Sequence, residues 1–228
     1  MESQGAGGYA RPMSPFPQLP PNAFAKEDDG DDAAFYAEAR LKTHIDEAAI
    51  AALTGFYRQV LPPGGALLDL MSSWVSHLPP EVAYGEVIGH GMNGEELAAN
   101  PRLSRWFVQD LNRTPRLDLA DASLDAAMIC VGVQYLQQPQ AVLAEVARTL
   151  RPGAPLVVSY SNRCFPTKAV AVWHGLDDHG HLTLVRRYLE AAGNWTDIQT
   201  LDRSPRRGGR LSGDPLFAVV GRAAGPDA

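Results

Sequence analysis

From position 33, apolar residues recur at three- and four-residue steps: Phe35, Tyr36, Ala39, Leu41, Ile45, Ala48, Ile50, Leu53, Phe56, Tyr57 and Val60. The run stops at Pro62-Pro63-Gly64. That period predicts two helices, and their place before the first strand makes 33–63 a helical lid. Beyond 64 the pattern changes to short apolar runs between polar turns. It predicts strands over 66–70, 83–88, 105–111, 124–133 and 155–159. Between them it predicts short helices at 74–78 and 94–99 and an amphipathic helix over 139–150. A helix over 181–192, stopped at Gly193, is followed by strands over 195–201 and 215–220 with only a Gly/Arg/Ser-rich turn between them. This alternation predicts an α/β fold: a mostly parallel seven-stranded sheet, covered by helices, with a terminal antiparallel hairpin.

Composition adds an N-terminal tail. Residues 1–32 are rich in Gly and Pro and close on Glu27-Asp28-Asp29-Gly30-Asp31-Asp32. They bury too little apolar surface to offset the entropy of ordering, so a disordered tail is expected, with docking through Phe16 and Phe24 as the alternative. Residues 64–228 form the main domain. Net charge is −6 with no basic run, which argues against nucleic acid as a partner. Cys130 and Cys164 make no disulfide framework, and no apolar run reaches membrane-spanning length. A soluble, cytoplasmic protein with no membrane partner is expected.

The chemistry is concentrated at the end of the first strand, Leu67-Leu68-Asp69-Leu70-Met71-Ser72-Ser73-Trp74. An acidic strand end running into a tight loop is where a nucleotide-type cofactor docks in an open α/β sheet. Such loops normally carry glycines, to reach φ > 0 and to let the cofactor approach the backbone. This one carries none.

Three segments resemble the class I S-adenosylmethionine-dependent methyltransferases, in particular their small-molecule branch. Leu143-Ala144-Glu145-Val146-Ala147-Arg148-Thr149-Leu150-Arg151-Pro152-Gly153 is similar to that family's E-x-x-R-x-L-K-P-G-G helix end, with Ala154 in place of the second glycine. Leu119-Ala120-Asp121-Ala122-Ser123-Leu124-Asp125-Ala126-Ala127 resembles its lead into strand four, and the terminal hairpin completes the likeness. The resemblance spans about 33–222. It implies a Rossmann-like methyltransferase fold and S-adenosyl-L-methionine as cofactor. Asp69 would then help hold the cofactor's amino-acid end beside Met71, Ser72 and Ser73. Asp110 would accept from the adenine amine, with Leu111 against the ring, and Cys130 and Val131 would wall the methionine part. The acid that takes the ribose hydroxyls falls on Gly91 in the run Gly91-Met92-Asn93. Asn93 can donate and accept toward a diol, and Glu95 or Glu96 can reach back from the next helix.

The resemblance also implies a small-molecule acceptor. Asn162, Arg163 and Lys168, after the fifth strand, are candidates to clamp an anionic one. A general base would be His44, His77 or Tyr135. The His174-to-His181 loop matches no familiar zinc or calcium spacing, so no metal is expected. The leading reading is methyl transfer to a small molecule. The alternative is an inactive methyltransferase-like binding protein, or an enzyme with an altered cofactor.

Overall fold

A computed structural model describes Phe16 and residues 18–225. The tail expected over 1–32 meets it only in part, since 1–15 and 17 lie outside the described residues. Where described, this segment is held to the domain. Phe16 is buried against Phe24 and Tyr188, and Ala23 and Ala25 accept hydrogen bonds from Val172 and Ala171. The acidic cluster that reads as solvated meets buried cations instead: Lys168 Nζ lies 3.1 Å from both Asp28 and Asp32, and Lys26 Nζ 2.5 Å from Asp32.

The chain continues through α1 (Asp32–Phe35) and an irregular stretch to α2 (Glu47–Val60). Then follow β1 (Ala66–Leu70), β2 (Glu86–Gly91), α3 (Gly94–Ala99), β3 (Arg105–Val108) and β4 (Ala126–Cys130). Next come α4 (Pro139–Thr149), β5 (Pro155–Tyr160), α5 (Ala171–His174) and α6 (Asp178–Ala192). The chain closes with β6 (Trp195–Asp202), a ribbon of β7 (Arg206–Arg207) and β8 (Arg210–Leu211), and β9 (Phe217–Ala223).

The seven-stranded sheet has the order β3-β2-β1-β4-β5-β9-β6, with β9 antiparallel to both of its neighbours. Strand residues alternate between two cores, as the period of a strand requires. Leu68, Leu70, Ile129 and Val158 pack on one face with Val142 and Val146 of α4 and Val185 and Leu189 of α6. Leu67, Ala126, Met128 and Val157 pack on the other with Leu53, Phe56 and Tyr57 of α2. Thus α2, expected as part of a lid over 33–63, is a covering helix of the sheet.

The helix expected over 74–78 is absent, and residues 71–85 form an irregular connection. Ser72, Ser73 and Ser76 bond Asp69, Glu96 and Asn100 through their side chains, which competes with helix formation. His77 adds a left-handed backbone (φ 52°), and Pro79-Pro80 follows.

The strand order reverses between β1 and β4. From β1 the chain steps outward through β2 and β3, then returns to β4 on the far side of β1. In open α/β sheets a ligand crevice forms at the carboxyl ends of the strands at such a reversal.

Candidate functional site

A cavity of about 1110 Å³ occupies that crevice, and every residue proposed from sequence except Glu95 and Lys168 lines it. Its floor is built from strained backbone. Met71 ends β1 at φ 58° and Val131 ends β4 at φ 47°. A left-handed β-branched residue costs about 1–2 kcal/mol and is tolerated only where the surroundings enforce it. Here Val131 N–H donates to Ser159 O at 2.8 Å, and Gly132 lets Met71 lie close, since a Cβ at 132 would stand 2.9 Å from the Met71 Cβ. The loop after Asp69 therefore adopts the backbone that glycines usually supply, without them.

His90, which the sequence reading overlooked, holds this loop. It lies in β2, is 1% exposed, and its Nδ1 accepts from Met71 N–H at 3.1 Å. With that tautomer, Nε2–H donates to Gln109 O at 3.0 Å, so one neutral ring ties β1's loop to the end of β3. Burial holds its pKa down at about 4. Between the ordinary value of 6.5 and 4 the unfolded chain takes up a proton that the folded one refuses. Stability therefore falls as pH drops through that window, by about 3 kcal/mol in all. His90→Phe should remove this acid slope and leave Met71 N–H and Gln109 C=O unpaired, costing about 2–4 kcal/mol in urea unfolding at pH 7.5. An unchanged midpoint would rule the tie out.

Asp69 is 3% exposed and accepts from Ser72 Oγ at 2.6 Å. Burial raises its pKa to about 7, against the lowering effect of the serine hydroxyls. No cationic side chain offsets its charge among the described residues. Asp110 lines the same cavity beyond β3, its Oδ1 accepting from Asn112 N–H at 2.8 Å, with Leu111 buried beside it. Cys130 stays a thiol, since burial pushes its pKa up to about 12.

Several assignments change. Asn93 has no hydrogen-bonding capacity left for a diol: Oδ1 caps α3 at Glu95 and Glu96 N–H, and Nδ2 donates to Tyr36 O and Ala37 O. Glu96, also in the first turn of α3, lines the cavity and accepts from Ser73 Oγ and Arg40 N–H. Lys168 is not a substrate clamp, because its ammonium is buried in the Asp28–Asp32 pairing. Arg163 and Asn162 do line the cavity, but Arg163 is paired with Asp214 at 2.6 Å. Tyr135 is part of the wall. Its oxygen accepts from Phe165 N–H at 2.9 Å, and burial raises the phenol to about 12, so it holds its proton at neutral pH. Burial lowers the pKa of both His44 and His77, that of His77 to about 4, where the nearness of a second imidazole, His44, further disfavours its protonated form. His174 and His181 bond the carbonyls of Pro166 and Trp173, and no metal-holding group of three His, Cys, Asp or Glu occurs among the described residues.

Residues 81–158, from just before β2 into β5, match the methyltransferase domain family. Malonyl-[acyl-carrier protein] O-methyltransferase of Hahella chejuensis is 35% identical over 86 residues, covering 38% of this chain and 29% of that protein. The chain thus spans less than a third of that relative's length. An S-adenosylmethionine-dependent methyltransferase from Mesorhizobium loti superposes with a TM-score of 0.52 at 16% identity, covering 75% of this chain and 97% of the other. The [4+2]-cyclase SpnF gives 0.57 at 15% identity, covering 82% and 89%. No helix among the described residues is long and apolar enough to cross a membrane. The matched segment carries β2, β3, β4 and the start of β5. The chain has the fold of S-adenosylmethionine-dependent methyltransferases, and its segment 81–158 matches their domain family.

Proposed function

We propose that the protein is an S-adenosylmethionine-dependent methyltransferase acting on a small molecule. The observation that carries this reading is the pair of carboxylates, Asp69 and Asp110, in one cavity of about 1110 Å³ at the strand reversal. That volume is just above the roughly 300–1,000 Å³ usual for ligand sites, and leaves space for a second molecule beside a nucleotide-sized one. The chemistry of the residues fits the cofactor at both ends. The uncompensated carboxyl of Asp69 suits a cationic amino-acid end, and Asp110 with Leu111 suits an adenine. The middle departs from the family's pattern, since Gly91 offers no acid to the ribose and Glu96 is the carboxylate on the wall that follows.

When bound, the cofactor supplies an electrophilic methyl on a positively charged sulfur. The chain's own part is to position and desolvate, which can provide much of the acceleration of an in-line displacement. His44 and His77, neutral at pH 7, are able to take a proton from an acceptor. An oxygen acceptor is the class that the Hahella relative's name points to.

Calorimetry with S-adenosylmethionine and S-adenosylhomocysteine tests this. Saturable micromolar binding, weakened about tenfold or more by Asp110→Ala, is expected. No binding up to millimolar cofactor would sink it. A second reading, binding without methyl transfer, draws on one observation: the Ser72 carbonyl oxygen stands 2.5 Å from where a Cβ at position 91 would lie, too close for the ribose acid. Tight binding without turnover across small oxygen and nitrogen acceptors would favour it.

A further inference from the structure

We infer that the acceptor is a flat, unsaturated organic anion, held by Arg40 through a carboxylate or similar planar oxyanion; this rests on the methyltransferase reading above. The inference begins with the charges that line the cavity. Arg163 is neutralised by Asp214, and Asp32 by Lys26 and Lys168. Asp69 faces the cofactor end, and Glu96 is engaged by Ser73 and by the Arg40 amide. Arg40 remains. It has no carboxylate partner within ion-pair distance among the described residues. Glu38 meets it only through its backbone carbonyl, and exposed Lys42 adds charge of the same sign.

The guanidinium is nonetheless fixed. Nη2 donates to Phe35 O at 2.8 Å and Nη1 to Glu38 O at 3.5 Å. Its carbon lies 4.7 Å from the Phe35 ring centre and 5.5 Å from that of Phe165. A guanidinium carries five N–H donors, and two are used here. Aromatic rings lie against it, and three N–H donors remain, from which a planar oxyanion can accept two bonds at once.

The neighbouring wall is aromatic. Phe165 is the hub, with Phe35 at 5.4 Å, His44 at 5.6 Å and Tyr135 at 6.1 Å between ring centres. Such a cluster favours an edge-on or offset aromatic body over a saturated one of the same size. His44 belongs to this cluster, so a candidate base stands beside the anion's handle.

Titration calorimetry with benzoate, benzamide and cyclohexanecarboxylate, with and without saturating S-adenosylhomocysteine, reads this directly. Benzoate should bind about tenfold more tightly than benzamide, because only the anion makes charge-assisted bonds. It should also bind more tightly than the saturated acid. Arg40→Gln should level benzoate and benzamide, and Arg40→Lys should restore part of the difference. Phe165→Leu should level benzoate and cyclohexanecarboxylate. A thermal melt of each variant reports whether it is folded, and the preference within one folded variant does not depend on the amount of active protein. Equal binding of benzoate and benzamide, an unchanged preference in Arg40→Gln, or no benzoate binding up to tens of millimolar would overturn the inference. Failure to bind S-adenosylhomocysteine would instead overturn the methyltransferase reading, and the probe series without it would still read the anion site.

Discussion

Gly91→Asp should destabilise the protein by about 2–4 kcal/mol and weaken S-adenosylhomocysteine binding by tenfold or more, although it supplies the acid that the family resemblance leads one to expect. The reason is steric before it is electrostatic. A Cβ at position 91 would stand 2.5 Å from the Ser72 carbonyl oxygen and 3.2 Å from Leu97 Cδ2. The leucine tip can turn aside, but the carbonyl cannot. Ser72 N–H donates to His90 O at 2.6 Å, and Ser72 Oγ donates to Asp69 at 2.6 Å. Retreat of the carbonyl would break those bonds and release the left-handed Met71 from the floor of the site. A carboxylate there would also face a carbonyl oxygen, which repels it. Gly91→Ala separates the two effects and should show most of the stability loss. Urea unfolding and calorimetry check both, and a Gly91→Asp protein of unchanged stability that binds more tightly would show the clash to be unreal.

Much of the fold was legible because its signals are local and redundant. Val142 and Val146 in α4, the alternating β1 residues Leu67 and Leu68, and the helix stop at Gly193 each agree with the packing they serve. The readings that failed concern tertiary partners. Residues 74–78 have helix-like apolar spacing, yet Ser73 and Ser76 find Glu96 and Asn100 across the fold, and the segment follows those bonds. The acidic cluster before Asp32 reads as solvated because its partners, Lys26 and Lys168, include one about 140 positions away in sequence.

The site was legible where backbone position alone decides it. Asp69, Asp110, Cys130 and Val131 sit at strand ends, and strand ends at a reversal face the crevice whatever their side chains. Side-chain commitments were not legible. Nothing in the sequence says that Asn93 spends its amide on Tyr36 and Ala37, or that Lys168 is occupied. His90 and Arg40 were overlooked for the same reason, since a histidine inside a strand and an arginine inside an apolar period read as core and surface.

Asp69→Asn should make the protein more stable at pH 8, by about 4 kcal/mol, while weakening S-adenosylhomocysteine binding tenfold or more. The carboxyl is buried without a cation, and its pKa rises from an ordinary 3.8 to about 7. Between those values the folded chain keeps a proton that the unfolded chain has released. Stability therefore falls as pH rises across that window and levels off above 7. Asparagine cannot ionise, so the variant escapes the loss, and its oxygen still accepts from Ser72 Oγ. Its advantage should be full at pH 8, narrow at pH 5, and vanish below 3.8. Binding should follow the opposite course. Wild-type affinity for the ammonium-bearing ligand should grow as pH rises through about 7 and Asp69 ionises, while the variant shows no such rise. Urea titrations at the three pH values, with calorimetry across pH 6 to 8, test both halves. An Asn variant no more stable at pH 8 would mean that Asp69 is not a buried charge, and one that binds as the wild type does would mean that it is not the partner of a cation. A variant that is more stable and binds more weakly would instead show instability stored at the end of β1, relieved when a cationic ligand arrives.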